Sequence, residues 1–218
     1  MKWKRQVAIV SIVALLVAPA YVPELLFFPY SAQSGGHRVY SEAPIDAAAL
    51  DRVTARSAAF VQDSPIAQPT EPRRVFLTQG GWRWLWLTAS SRKAFAISRR
   101  FGEAIVFNRT DLASDRVRNG GDIGGERSVS GVLAHEICHG MLRRHFGFTV
   151  DWSKPQWLRE GYCDHVAQES SLTAIQVAEL KAAGRKHPAI PYFEGRQRVS
   201  AELGRNGGNV DTLFAKAH

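Results

Sequence analysis

Residues 129–144 read VSGVLAHEICHGMLRR, and this stretch decides the fold of the second half of the chain. We predict a helix that begins at Ser128 or Ser130, because serine commonly caps a helix N-terminus. It should end at Gly147, since glycine often follows the last turn of a helix. The basic residues 143–145 suit the negative C-terminal end of that helix. Side chains four positions apart then lie on the same face.

The string His135-Glu136-Ile137-Cys138-His139 places chemical groups on this helix. His135 and His139 would have Cβ atoms about 5–6 Å apart, so both imidazoles could bind one Zn²⁺ at about 2.0–2.1 Å. Glu136 is turned by about 100° from His135. It would border the metal and accept a proton from a zinc-bound water, as a general base does. An ordinary amphipathic helix can carry the same string by chance, so a third ligand is needed to support the interpretation.

A candidate third ligand lies on the next predicted helix, where residues 157–164 read WLREGYCD. A catalytic zinc site has three protein ligands and an open position, and Glu160 is a carboxylate of the required kind. Asp164 follows one turn later on the same face. Ligating histidines usually donate their second N–H to a carboxylate, so Asp164 is expected to orient His135. A solvated helix face is the alternative, but the apolar residues around both acids favour a packed helix.

The pattern H-E-x-x-H followed by W-L-x-E-G-x-x-D resembles the gluzincin group of thermolysin-like and aminopeptidase-like zinc peptidases, especially its small peptidase-MA-like members. The resemblance implies a zinc-dependent peptidase and a minimal zincin-like fold. It also implies that both histidines and the later glutamate bind zinc, that the glutamate within the motif is the general base, and that the aspartate orients the first histidine. Those roles fall on His135, His139, Glu160, Glu136 and Asp164.

The resemblance is specific over residues 131–167 only, and the chain lacks the motifs by which aminopeptidases recognise a free amine. It implies an edge strand that holds peptide in extended form, which residues 104–107 could match. It also implies a tyrosine or histidine that stabilises the oxyanion of the reaction. Tyr192 is our first candidate for this residue, and His187 and His165 are the next candidates. Tyr192 could equally be an ordinary packed aromatic residue.

The N-terminus has the pattern of a targeting segment. A short basic start precedes an uninterrupted apolar run at residues 7–17, as in a secretory signal. If it is not cleaved, residues 7–28 are long enough to span a bilayer. The interpretation gives a signal or membrane anchor at 1–30, a linker at 31–43 and a peptidase domain at 44–218. That domain would lie on the extracytoplasmic, periplasmic side, or be secreted if the signal is cleaved. A buried N-terminal helix is the alternative.

The remaining pattern predicts an α+β fold, with a small N-terminal β-sheet followed by a helical half that carries the H-E-x-x-H helix. A helix is expected at 44–61. Residues 75–78 and 82–88 are expected to form a β-hairpin in which alternating tryptophans make one buried face, although the same aromatic run could stack on sugars or bases. Further helices are expected at 152–170, 173–184 and 192–203.

Composition restricts the function classes. With 218 residues and a net charge of +8 without long basic runs, one globular domain is expected and nucleic-acid binding is not. The two cysteines, Cys138 and Cys163, could form one disulfide or remain as buried thiols. We therefore expect a zinc peptidase that acts on peptide or protein. Two alternatives stay open: a catalytically silent zinc-binding scaffold or chaperone module, and a zinc hydrolase of a non-protein amide such as a cell-wall cross-link.

Overall fold

The computed structural model describes residues 21–88, 91–99 and 102–216, together with residues 3, 6, 7, 18 and 19. The order of elements is mixed, with strands concentrated before residue 128 and helices after it. The prediction of a mixed α and β fold with a small N-terminal sheet is therefore confirmed.

The N-terminal sheet contains five strands in the order β1-β2-β3-β5-β4. Strands β2, β3 and β5 run parallel to one another, whereas β1 and β4 are antiparallel edge strands. The interior strands β3 and β5 are apolar runs that are almost completely buried, as expected for parallel strands covered on both faces. The strands are β1 (Tyr30–Ser34), β2 (His37–Ser41), β3 (Arg74–Leu77), β4 (Ala96–Ser98) and β5 (Ile105–Phe107).

A second, smaller antiparallel sheet has the order β6-β7-β8 and leads into the helical half. Its strands are β6 (Arg109–Asp111), β7 (Arg116–Arg118) and β8 (Glu126–Arg127). The helices are α1 (Ala47–Gln62), α2 (Trp82–Thr88), α3 (Val129–Phe146), α4 (Val150–Ser153), α5 (Gln156–Val166), α6 (Ala174–Ala182), α7 (Ile190–Arg205) and α8 (Val210–Lys216).

Helix α3 runs through the centre of the molecule and agrees with the prediction for this segment. Ser128 caps it by accepting a hydrogen bond from the Gly131 backbone N–H, and Gly147 follows its last residue. The helix packs against α1 and α5, and β4 lies beside it. The predicted helix at 152–170 is instead divided into α4 and α5, because Pro155 stands at the start of α5 with extended backbone. The capping box predicted at Thr173 is confirmed at the start of α6.

Helix α2 replaces the second strand of the predicted hairpin. Its buried residues are Trp84, Leu87 and Thr88, which recur with the period of a helix. Trp82 and Trp86 are 57% and 45% exposed, so the tryptophans do not share one buried face. The alternation of large apolar residues was misread as a strand because a seven-residue segment fits both periods.

The predicted linker at 31–43 is also wrong, since it forms most of the β1–β2 hairpin. The turn between the strands consists of Gly35 and Gly36, whose φ values are +55° and +80°. Positive φ at both central residues matches the twist of the flanking strands and is readily adopted by glycine. The folded domain thus begins well before residue 44.

The structure contradicts the predicted membrane anchor and the localisation derived from it. Within the residues described, no helix is long and apolar enough to cross a membrane. The apolar residues 8–17, on which the anchor and signal predictions depend, lie outside the described part of the chain. The last part of the predicted span belongs to the domain. Pro23–Leu26 is a short 3₁₀ helix, Leu26 is buried, and the Phe28 ring lies 5.2 Å from that of Phe76.

Candidate metal centre

Helix α5 is positioned by an unusually close approach to α7. A Cβ atom added at Gly161 would lie 2.4 Å from the carbonyl carbon of Gly195. No larger side chain fits between the two backbones without moving one of them. This contact sets the position of α5, and therefore of Glu160, opposite α3.

Three candidate ligands from α3 and α5 converge on one point. The Nε2 atoms of His135 and His139 are 3.2 Å apart. Glu160 Oε2 lies 3.3 Å from His135 Nε2 and 3.5 Å from His139 Nε2. Ligand atoms of a tetrahedral zinc at about 2.1 Å are roughly 3.4 Å apart. The three residues form a group that could hold a metal ion, and their spacing fits one.

The electrostatics of this group favour added positive charge. Burial lowers the pKa of His135, but its hydrogen bonds to Asp164 and Glu160 outweigh burial and raise that pKa well above its usual value. Burial also lowers the pKa of His139, but the neighbouring Cys163 and Glu160 outweigh burial and raise that pKa well above its usual value. Burial raises the pKa of Glu160, yet the two histidines hold it well below the ordinary range. Because metal binding displaces protons from its ligands, a cation here would take over the stabilising role of those protons.

Asp164 holds His135 in orientation, at the position expected from the sequence. His135 Nδ1 donates to Asp164 Oδ1 over 2.8 Å, which directs Nε2 toward the ligand group. The aspartate is fully buried. It also pairs with Arg127 Nη1 at 3.0 Å and accepts from Ser170 Oγ at 3.0 Å. Arg127 is in turn paired with Glu169 at 3.2 Å. Arg127 and Ser170 are therefore parts of the site that were not assigned from the sequence.

The second imidazole also has a partner. His139 Nδ1 lies 3.7 Å from Cys163 Sγ. Cys138 and Cys163 are both buried free thiols rather than a disulfide, and burial raises the pKa of each. The sequence contained a signal for this contact, because Cys163 follows Glu160 by almost one helical turn on the same element.

The ligand group opens onto a cavity of about 870 Å³. Glu136 lines this cavity and is 7% exposed. None of the described residues hydrogen-bonds to its carboxylate, so both oxygens are available to a molecule in the cavity. The carboxylate lines the same cavity as the three candidate ligands, where it could exchange a proton with a bound molecule.

The three oxyanion candidates do not all reach this cavity. Tyr192 and His187 line it, whereas His165 faces a separate pocket and bonds to Ser200 Oγ at 2.8 Å. The Tyr192 hydroxyl accepts a hydrogen bond from Gln156 Nε2 at 2.8 Å. Burial, with the nearby charge of Glu160, raises the pKa of Tyr192. The hydroxyl is therefore protonated at neutral pH.

The edge strand expected at 104–107 is not an edge. Strand β5 is paired with β3 on one side and with β4 on the other, so its backbone groups are occupied. The edge is β4, and its residues line the cavity together with the ligand histidines. The sequence did not single out β4, because three residues carry too little periodicity to predict a strand.

Comparison of the chain with protein-family models, with curated proteins and with solved structures finds no match. The function must therefore be inferred from the geometry of the site itself.

Proposed function

We propose that this protein is a zinc-dependent peptidase of the gluzincin type. In this proposal His135, His139 and Glu160 bind the metal, and Glu136 is the general base. The observation that carries the proposal is the convergence of three ligand atoms within 3.5 Å of one another, in a cavity that is also lined by a carboxylate with no hydrogen-bond partner among the described residues.

The donor set supports zinc as the metal. Two imidazoles and one carboxylate form a three-ligand set that catalytic zinc sites use, with the fourth position left for water or substrate. Imidazole nitrogens suit zinc, whereas magnesium and calcium prefer oxygen ligands. All three candidate ligands line the cavity, which is where a substrate would enter.

The chain's own residues then have distinct roles. Zinc, when bound, activates water and polarises a carbonyl group. Glu136 would accept a proton from the attacking water and pass it to the departing amine, which a carboxylate that lines the cavity without a partner among the described residues can do. Asp164 keeps His135 in the tautomer whose Nε2 faces the metal.

Tyr192 is suited to stabilise the oxyanion. Its hydroxyl already accepts a hydrogen bond from Gln156, so its own proton remains free to be donated. A donor at the developing negative charge lowers the barrier for acyl transfer. The raised pKa of Tyr192 keeps that proton in place.

The position of β4 at the edge of the sheet, as the described residues form it, supports a peptide as the substrate. An extended peptide can add to an exposed sheet edge through backbone hydrogen bonds, and this edge borders the ligand group. Glu136 favours hydrolysis over a silent scaffold, because metal binding alone does not need an unpaired carboxylate in the cavity. No comparable feature favours a non-protein amide.

The test combines metal content with hydrolysis of a quenched fluorescent peptide library. We expect the wild type to bind one zinc ion per chain and cleave peptides, and Glu136→Gln to keep the zinc while losing almost all activity. His135→Ala should lose the metal. His145→Ala, on the same helix but paired with Asp211 at the surface, should retain both. A metal-free wild type, or equal activity in Glu136→Gln and wild type, would rule out the mechanism.

A further inference from the structure

Arg143 is a buried cation whose hydrogen-bonding capacity is largely unused. It lies on α3 one turn beyond His139 and lines the same cavity, although its side chain is only 5% exposed. Its Nη1 lies 3.5 Å from Asp151 Oδ2. Its Nε and Nη2 atoms are buried and have no hydrogen-bond partner among the described residues. Buried polar groups are normally paired, so this guanidinium indicates a missing partner.

The two unused nitrogens have the geometry of a carboxylate-binding edge. Nε and Nη2 lie along one edge of the planar guanidinium group, where an N–H bond of each runs parallel to the other. A carboxylate accepts both bonds at once in the bidentate arrangement that arginine favours. The 3.5 Å contact to Asp151 is a long one, so Arg143 can turn this edge toward the cavity without breaking a short bond.

The surrounding charges select a single negative charge. Arg159 also lines the cavity, with its Nε donating to the Lys154 carbonyl and its Nη1 3.9 Å from Glu160. The acids Asp151 and Glu160 line the same cavity, as do the cations Lys93 and Arg127. The acids disfavour a doubly charged group such as phosphate, whereas a carboxylate with one charge matches the Nε–Nη2 edge of Arg143, which has no partner among the described residues.

We propose that Arg143 binds a carboxylate group of the substrate and so makes this site selective for peptides that carry a carboxylate near the scissile bond. The inference rests on the proposed peptidase function. Arg143 is four positions beyond His139, which corresponds to about 6 Å along the helix axis. The carboxylate therefore lies within one or two residues of the scissile bond. It is either the free C-terminus of the peptide or an acidic side chain.

Peptide binding to the full chain tests this assignment by isothermal titration calorimetry. Zinc-supplemented Glu136→Gln protein is the parent, because it does not consume the ligand. The probes are a short N-acetylated alanine peptide with a free C-terminal carboxylate, the same peptide as its amide, and two amides that end in glutamate or glutamine. We expect one of the two carboxylate peptides to bind about tenfold or more tightly than its neutral counterpart. The pair that differs identifies the source of the carboxylate.

Two further variants in the same parent distinguish a direct bond between Arg143 and the carboxylate from a general attraction by the positive charges of the cavity. Arg143→Gln should reduce the preference to near unity, whereas Lys93→Gln, which removes an exposed cation from the same cavity, should preserve it. If circular dichroism shows that Arg143→Gln is unfolded, Arg143→Gln combined with Asp151→Asn removes both charges of the pair together.

Equal binding of acidic and neutral peptides by the parent would overturn the assignment. Equal loss of the preference in Arg143→Gln and Lys93→Gln would also overturn it. A preference that depends on Arg143, in a protein whose wild type cleaves no peptide of the fluorescent library, would keep the carboxylate site and discard the peptidase proposal.

Discussion

Replacing Asp164 by asparagine is the most informative single change in this protein. The aspartate is fully buried, accepts hydrogen bonds from His135 at 2.8 Å and Ser170 at 3.0 Å, and forms an ion pair with Arg127 at 3.0 Å. Asparagine keeps the size of the side chain and one acceptor oxygen. It removes the negative charge and replaces the second oxygen by a donor.

The size of both effects of Asp164→Asn, on stability and on zinc affinity, follows from the residues that lose their partner. Arg127 remains buried with Glu169 as its one remaining acid, and breaking a buried ion pair from one side costs about 3–5 kcal/mol. We therefore expect the free energy of unfolding to fall by about 3 kcal/mol. His135 loses the carboxylate that orients it, so zinc affinity should fall by about 10- to 100-fold, as with other partners of ligating histidines.

Urea unfolding and zinc competition against a chromophoric chelator measure these two effects. Asp211→Asn is a matched control, since Asp211 pairs with His145 of the same helix at 2.7 Å but is 72% exposed. That exposed pair should contribute less than about 1 kcal/mol and should not affect zinc. If both variants lose equally little stability and bind zinc as the wild type does, the buried role assigned to Asp164 is incorrect.

Other predictions concern the second histidine, acid stability and helix packing. Cys163→Val removes the thiol beside His139 Nδ1 and should weaken zinc binding about tenfold in the chelator assay. An unchanged zinc affinity would show that the thiol does not help to orient His139. Burial, with a nearby arginine, lowers the pKa of His37 to about 4. Neutral His37 therefore stabilises the fold in full above about pH 6.5, and this stabilisation is lost as pH falls toward 4, because the unfolded chain takes up the proton first. This loss amounts to about 3 kcal/mol, which His37→Gln should remove from the pH dependence of urea unfolding. Gly161→Ala should destabilise the fold by about 3 kcal/mol because its Cβ meets backbone, whereas Gly204→Ala, which meets no atom, should be neutral or stabilising in thermal unfolding.

Local sequence signals were sufficient where the structure depends on neighbours along the chain. Ser128 and Gly147 delimit α3, and Thr173 forms the capping box of α6. Both features were predictable because their contacts span only a few residues. They failed where several local conformations were compatible with the same pattern. Helix α2 was read as a strand, and the polar β1–β2 hairpin as a linker, because the surrounding sheet and not the local pattern selects the conformation there.

The sequence by itself determined which residue types share a helix face, since spacings of three and four residues set that face in any α-helix. His135 and His139 on α3, and Glu160 with Asp164 on α5, follow from this rule alone. Only the tertiary structure decided that the two faces meet. That meeting depends on the backbone contact between Gly161 and α7 and on contacts that join residues more than twenty positions apart. Such contacts arise from packing of whole elements, which local spacing does not specify.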